Sequence, residues 1–148
     1  MDKKRYANDL YEYGYNCAQR TLLPFAEECG LEREPALKLA SGFGAGLQHG
    51  GICGAISSGV MVLGMLYGHT DGKDAKGKHK IYNAVIDLCN SIEGKYNTLL
   101  CKEIIGVDIT NPSGRAFAEK NNLFQTKCKY IINDVIDSVE EIRKHLNE

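Results

Sequence analysis

Apolar residues along this chain recur every three or four positions, and that spacing predicts helices almost end to end. Tyr6, Leu10 and Tyr13 share a stripe over 2–13. Asn16 caps a second helix over 17–29, kinked by Pro24 and closed by Gly30. A third helix covers 34–43, with Pro35 in its first turn. The longest weakly polar stretch, 52–68, is slightly short for a membrane span, carries Ser57 and Ser58, and reads as a buried central helix over 52–67. A fifth helix spans 74–91, with Ile81, Val85 and Leu88 at helical spacing and Ile92 continuing the stripe. A short sixth covers 97–105, ended by Gly106. The stretch 108–122, with Asn111-Pro112-Ser113-Gly114, reads as loop or irregular chain with one turn at most. The last helix, 125–146, sets Ile131, Val135, Val139 and Ile142 on one face. β-Branched residues do not alternate, so strand signals are scarce. The expected fold is all-α, a compact single-domain helical bundle of about six to seven helices over residues 1–148.

Composition narrows the function classes. A chain of 148 residues buries a core without disulfide staples, and 43% apolar with 25% charged residues is ordinary for a globular domain. A net charge of −1, with lysines and arginines dispersed, gives no footprint for nucleic acid or an anionic membrane. The charged start, Met1 to Tyr6, has no apolar run behind it, so no signal peptide is read and a cytoplasmic location is expected.

Six cysteines (17, 29, 53, 89, 101 and 128) are many for such a chain, and in a reducing compartment they point to metal binding or redox chemistry rather than structural disulfides. Cys53 follows the most glycine-dense segment, Gly42 to Gly51, and opens the central helix. Free N–H groups and the positive helix end there favour thiolate, so its pKa is expected to fall. Gly50, Gly51 and Gly54 leave room around its sulfur for a cofactor or substrate. Cys17 is placed alike, one residue after Asn16. His49 lies near Cys53 in sequence, as a candidate metal ligand or acid–base. No Cys-x-x-Cys occurs, and ferredoxin spacings are absent, so spacing alone establishes no cluster. Gly42-x-Gly44-x-Gly46 lacks the lysine and preceding strand of a phosphate loop.

The combination resembles the C_GCAxxG_C_C family. The matching pieces are Tyr15-Asn16-Cys17-Ala18-Gln19, Ala40 to Gly46, Gly50-Gly51-Ile52-Cys53-Gly54-Ala55 with Val62-Leu63-Gly64, Cys101 to Asp108, and Cys128. Two departures stand out. Cys53 and Gly54 come in the opposite order from the family's name, and Ser58 replaces the closing glycine, with Gly59 one place later. The resemblance implies a small bacterial protein of a kind common in anaerobes, with a redox role inferred from Cys17, Cys53, Cys101 and Cys128. Cys29 and Cys89 fall outside that set.

Three functions follow as expectations. The first is electron transfer through an iron–sulfur cluster held by Cys17, Cys53, Cys101 and Cys128, with zinc as the non-redox occupant of the same thiolates. The second is metal-free thiol–disulfide chemistry, with Cys53 as nucleophile and Cys17 as resolving cysteine. The third is a structural or interaction module with buried cysteines. A redox partner protein is expected on the first reading, and glycine-faced helices make a homodimer reasonable.

Overall fold

The computed structural model describes residues 1–147. Among them eight α-helices form: α1 Lys3–Asp9, α2 Cys17–Leu22, α3 Arg33–Ala40, α4 Gly54–Tyr67, α5 Ala75–Tyr96, α6 Cys101–Ile105, α7 Pro112–Lys120 and α8 Lys127–Leu146. Local chemistry sets their starts. The Asp2, Asn16, Asp74 and Asn111 side chains each accept a backbone N–H three residues on, which satisfies a donor the helix cannot. At α2 the box is reciprocal: Asn16 accepts from the Gln19 N–H at 2.9 Å, and Gln19 accepts from the Asn16 N–H at 3.1 Å.

α4 is apolar nearly all round and runs through the centre, packed by α2, α5 and α8. Ile56, Val62 and Leu63 from α4 meet Leu88 and Ile92 from α5 and Ile131, Val135 and Val139 from α8 in one core. Each such side chain contributes roughly 1.5–3 kcal/mol by leaving water. Ser58 is buried yet satisfied, donating to the Ala18 carbonyl at 2.7 Å and tying α4 to α2. A patch of charge clips the outside, where Lys3 and Arg143 share Glu28 and Glu140. No helix among the described residues is long and apolar enough to cross a membrane.

The all-α expectation holds, with corrections. The helices number eight rather than six or seven, and only α4, α5 and α8 are long. The others are short pieces wrapped on them, so "bundle" overstates the regularity. The run after α2 tightens at Leu23–Phe25, where Pro24 removes a donor. α5 continues to Tyr96 rather than stopping at 91, and Asn97 in the left-handed region ends it. Residues 97–100 are not helical. Ile52 and Leu100 instead form an isolated antiparallel bridge, flanked by Cys53 N–H to Leu99 O at 2.9 Å and Cys101 N–H to Gly51 O at 2.7 Å. The segment read as irregular holds α7, started by the Asn111 cap with Pro112 in its first turn.

Candidate four-cysteine site

Cys17, Cys53, Cys101 and Cys128 line one cavity of about 470 Å³. Each enters it from a helix start. Cys17 and Cys101 are the first residues of α2 and α6, Cys53 is the cap residue of α4, and Cys128 is the second residue of α8. The bridge explains the placing of two of them. Residues 53 and 101 flank the Ile52–Leu100 pair, and side chains alternate across such a pairing, so both cysteines face away from exposed Ile52 into the protein. Lys127 donates to the Ile105 carbonyl at 3.1 Å and holds the start of α8 against the end of α6.

The segment between α3 and α4 supplies the other half of the site. Ala45, Gly46, Leu47 and Gln48 all have positive φ, forming a left-handed turn closed by the Gly51 N–H on the Gly46 carbonyl at 3.0 Å. At Gly46 a Cβ would lie 2.4 Å from the Gly51 carbonyl oxygen, so glycine is obligatory there. The Asn16 side chain donates to the Ser41 carbonyl at 3.0 Å, which fastens this segment to the start of α2. The fastening brings the Ala45 N–H to the Cys17 sulfur.

Cys17 and Cys53 share a hydrogen bond, and their acidities diverge. Cys17 is lowered to about 7, first because the Cys53 thiol donates to it, and further because the N–H groups of Ala45, Gly54 and Ala55 do. Cys53 is pushed well above the usual thiol range because its S–H donates to the Cys17 sulfur, because it is buried and because of the Cys17 charge. The sequence places the lowered pKa on Cys53, but the structure places it on Cys17. The cause is tertiary: the first N–H groups of α4 are aimed at the sulfur of a neighbouring helix as well as at Cys53. Gly54 permits this, since a Cβ there would sit 2.8 Å from the Cys17 sulfur and 2.6 Å from the Phe43 carbonyl oxygen. Cys101 and Cys128 are each raised to about 12, chiefly by burial and then by the charge of Cys17. Cys17 is half-buried whereas the other three are buried.

The remaining candidates separate. Gly54 is at the sulfurs. Gly50 faces the Lys102 side chain and Gly51 faces Gly46, so neither clears space beside Cys53. His49 is exposed, its Nδ1 3.1 Å from the Leu47 carbonyl, and it does not line the cavity. Cys29 is buried in the main core and Cys89 packs at its edge, both away from the cavity. One participant escapes the sequence reading. Arg20, 3% exposed, lines the cavity from α2, where it stands between Gln19 and Thr21 and reads as one more polar position.

The donors suit a thiophilic centre, since thiolates are the ligands of iron–sulfur clusters and of zinc. Among the described residues, however, no three cysteine, histidine or carboxylate side chains are gathered at the spacing one metal ion requires. Cys17 and Cys53 are in contact, while Cys101 and Cys128 complete the cavity wall from α6 and α8.

No curated protein and no solved structure matches the chain. A family model does, over residues 15–142, which takes in all four cavity cysteines; the chain therefore belongs to the C_GCAxxG_C_C family, described as "Putative redox-active protein (C_GCAxxG_C_C)".

Proposed function

We propose that this protein exchanges disulfides with a substrate through Cys17 and Cys53, Cys17 attacking and Cys53 resolving. The carrying observation is the Cys17–Cys53 hydrogen bond with three backbone N–H groups on the Cys17 sulfur. A thiol is a nucleophile as its thiolate, and a pKa near ambient pH balances thiolate fraction against nucleophilicity. The Cys17 thiolate attacks one sulfur of a substrate disulfide, forming a mixed disulfide and expelling the other sulfur as thiolate. Cys53 then loses its proton to a departing thiolate and attacks the Cys17 sulfur. The Cys17–Cys53 disulfide forms, the substrate leaves as one thiol and one thiolate, and two electrons have passed to it. An external dithiol reverses the sequence. This reading keeps the cysteine pair expected from sequence and exchanges their roles.

The pH dependence of iodoacetamide alkylation on the reduced chain tests it. Cys17 is expected to react with an apparent pKa of about 7, and Cys53→Ala is expected to raise that value by removing the strongest donor. A Cys17 profile with no inflection below the ordinary thiol range of about 8.5 overturns it.

A second reading is favoured by what the pair leaves unused: Cys101 and Cys128 line the same cavity. Cys17, Cys53, Cys101 and Cys128 would then hold an iron–sulfur cluster, which supplies one-electron transfer when bound. Iron and acid-labile sulfide in anaerobically reconstituted protein are its measure, and a colourless product sinks it.

A further inference from the structure

Arg20 is the only buried charged side chain among the described residues lining the cavity. Its Nε–H donates to the Ala7 carbonyl at 2.9 Å, and its guanidinium lies 5.2 Å from the Tyr11 ring centre. None of the ion pairs among the described residues gives it a carboxylate partner, and the anionic groups that face it are the cavity sulfurs of Cys128 and Cys17. A guanidinium stays charged in a protein and is costly to bury without a counter-charge. With Nε engaged, its terminal N–H groups keep the planar fork that suits a carboxylate.

Position adds to charge. Cys17 and Arg20 stand three residues apart on α2, a spacing that sets two side chains on one helix face. The cavity, about 470 Å³, has the size of a small-molecule site, and Tyr15, Ile109 and Phe124 give it apolar walls. Glu12, Arg115 and Glu119 also line it but are exposed, and Arg115 and Glu119 face each other at 4.0 Å. Water screens those rim charges far more than it screens Arg20.

We propose that the cavity takes a small disulfide bearing a carboxylate, whose anionic group seats on Arg20 while one of its sulfurs meets Cys17. The assignment rests on the dithiol reading above and names its substrate class. The chemistry balances as before: the Cys17–substrate S–S bond forms as the substrate's own S–S bond breaks, and Cys53 completes the two-electron exchange. Arg20 is a binding residue in this scheme and transfers no proton.

Paired alkylators separate anion binding from thiol acidity. Iodoacetate carries the carboxylate and iodoacetamide is its neutral counterpart, so their rate ratio at Cys17 cancels any change in thiolate fraction. The full reduced chain is expected to favour iodoacetate, and Arg20→Gln is expected to lower the ratio at least about tenfold, the size of one charge-assisted hydrogen bond. Arg115→Gln should leave it nearly unchanged. A wild-type ratio equal to that of free cysteine, or one that survives Arg20→Gln, overturns the proposal. Should Arg20→Gln fail to fold, the wild-type chain still decides: propionate should slow iodoacetamide at Cys17 where propionamide does not, and equal effects of the two overturn the site.

Oxidation of the reduced chain by 3,3′-dithiodipropionate and by 2-hydroxyethyl disulfide then distinguishes the two claims. Faster reaction with the anionic disulfide supports both. Equal rates overturn the anion site and leave the dithiol reading standing. Selective alkylation with no reaction toward either disulfide overturns the dithiol reading and, with it, this substrate class.

Discussion

Two glycines on α4 lack a Cβ for opposite purposes. At Gly59 a Cβ would meet Leu88 and Val135 at 2.9 Å, so the bare backbone lets α5 and α8 close on α4 with apolar side chains. At Gly54 it would meet the Cys17 sulfur at 2.8 Å and the Phe43 carbonyl oxygen at 2.6 Å, so the bare backbone admits a polar sulfur to the N–H groups that begin the helix. One device thus seals the core and, a turn and a half earlier, builds the site. What differs is what must yield when the space is filled: side-chain ends at Gly59, backbone and reactive sulfur at Gly54.

The largest expected break in that comparison is Gly54→Ala. Backbone cannot retreat as a side chain can, so the substitution should cost about 3 kcal/mol or more in denaturant unfolding. It should also pull the Cys17 sulfur off its donors. The low-pH alkylation of Cys17 is expected to vanish in whatever fraction remains folded. A folded Gly54→Ala chain with Cys17 still titrating near 7 would show that the α4 start does not set that acidity.

The pH dependence of stability reads the same end of the helix without mutation. Cys17 is lowered to about 7 in the folded chain against about 8.5 in an unfolded one. Its contribution is therefore fully present above about pH 8.5 and is lost as pH falls through 7, on the order of 2 kcal/mol. Cys53, Cys101 and Cys128 act in the other direction, because burial and the Cys17 charge raise them. The unfolded chain ionises these thiols above about pH 8.5 while the folded chain keeps them protonated, so stability falls as pH rises further. Urea midpoints under reductant should peak between pH 7 and 9 for these reasons, and Cys17→Ser should flatten the acid limb and also soften the alkaline one, since the Cys17 charge helps to raise the other three thiols. An unchanged acid limb in that variant contradicts the assignment.

Gly59→Ala belongs at the apolar end and should be milder. Overpacking of about 1–3 kcal/mol is offset by roughly 1 kcal/mol gained in helix propensity, leaving a loss of about 1 kcal/mol. Cys17 alkylation should keep its pH profile. If that profile moves, the two ends of α4 are coupled and the contrast between them fails.

Sequence made the core end of this contrast readable and the site end only partly so. Ile131, Val135, Val139 and Ile142 announce the face of α8 by period alone, and all four are buried. The four cysteines could be picked as a set, and the structure gathers them round one cavity. Which sulfur would be acidic could not be read, since the donors to Cys17 come from Ala45, Gly54 and Ala55, remote in sequence from it. Arg20 was hidden because, between Gln19 and Thr21, it reads locally as part of the helix's polar edge. α7 was legible and missed: Asn111 followed by Pro112 is a cap and first-turn pair, but Gly114 and the preceding polar residues made it resemble a turn.

The left-handed turn was the least legible feature, because three of its residues, Ala45, Leu47 and Gln48, are not glycine. An L-residue held at positive φ costs roughly 1–2 kcal/mol, and such strain collects where a fold needs a particular donor placed. Here that donor is the Ala45 N–H on Cys17. Leu47 tests the strain cleanly, since its φ is 62° and its side chain is 57% exposed, so removing it sacrifices little packing. Leu47→Gly should relieve the strain and lose part of the gain to the greater freedom of the unfolded chain, for a net stabilisation of about 0.5 kcal/mol. Denaturant midpoints measure it, with Cys17 alkylation as control. Lower stability with an unmoved Cys17 profile would mean that the turn sits at ease in its left-handed form, and that the site, like the core around Gly59, is held by packing rather than by stored strain.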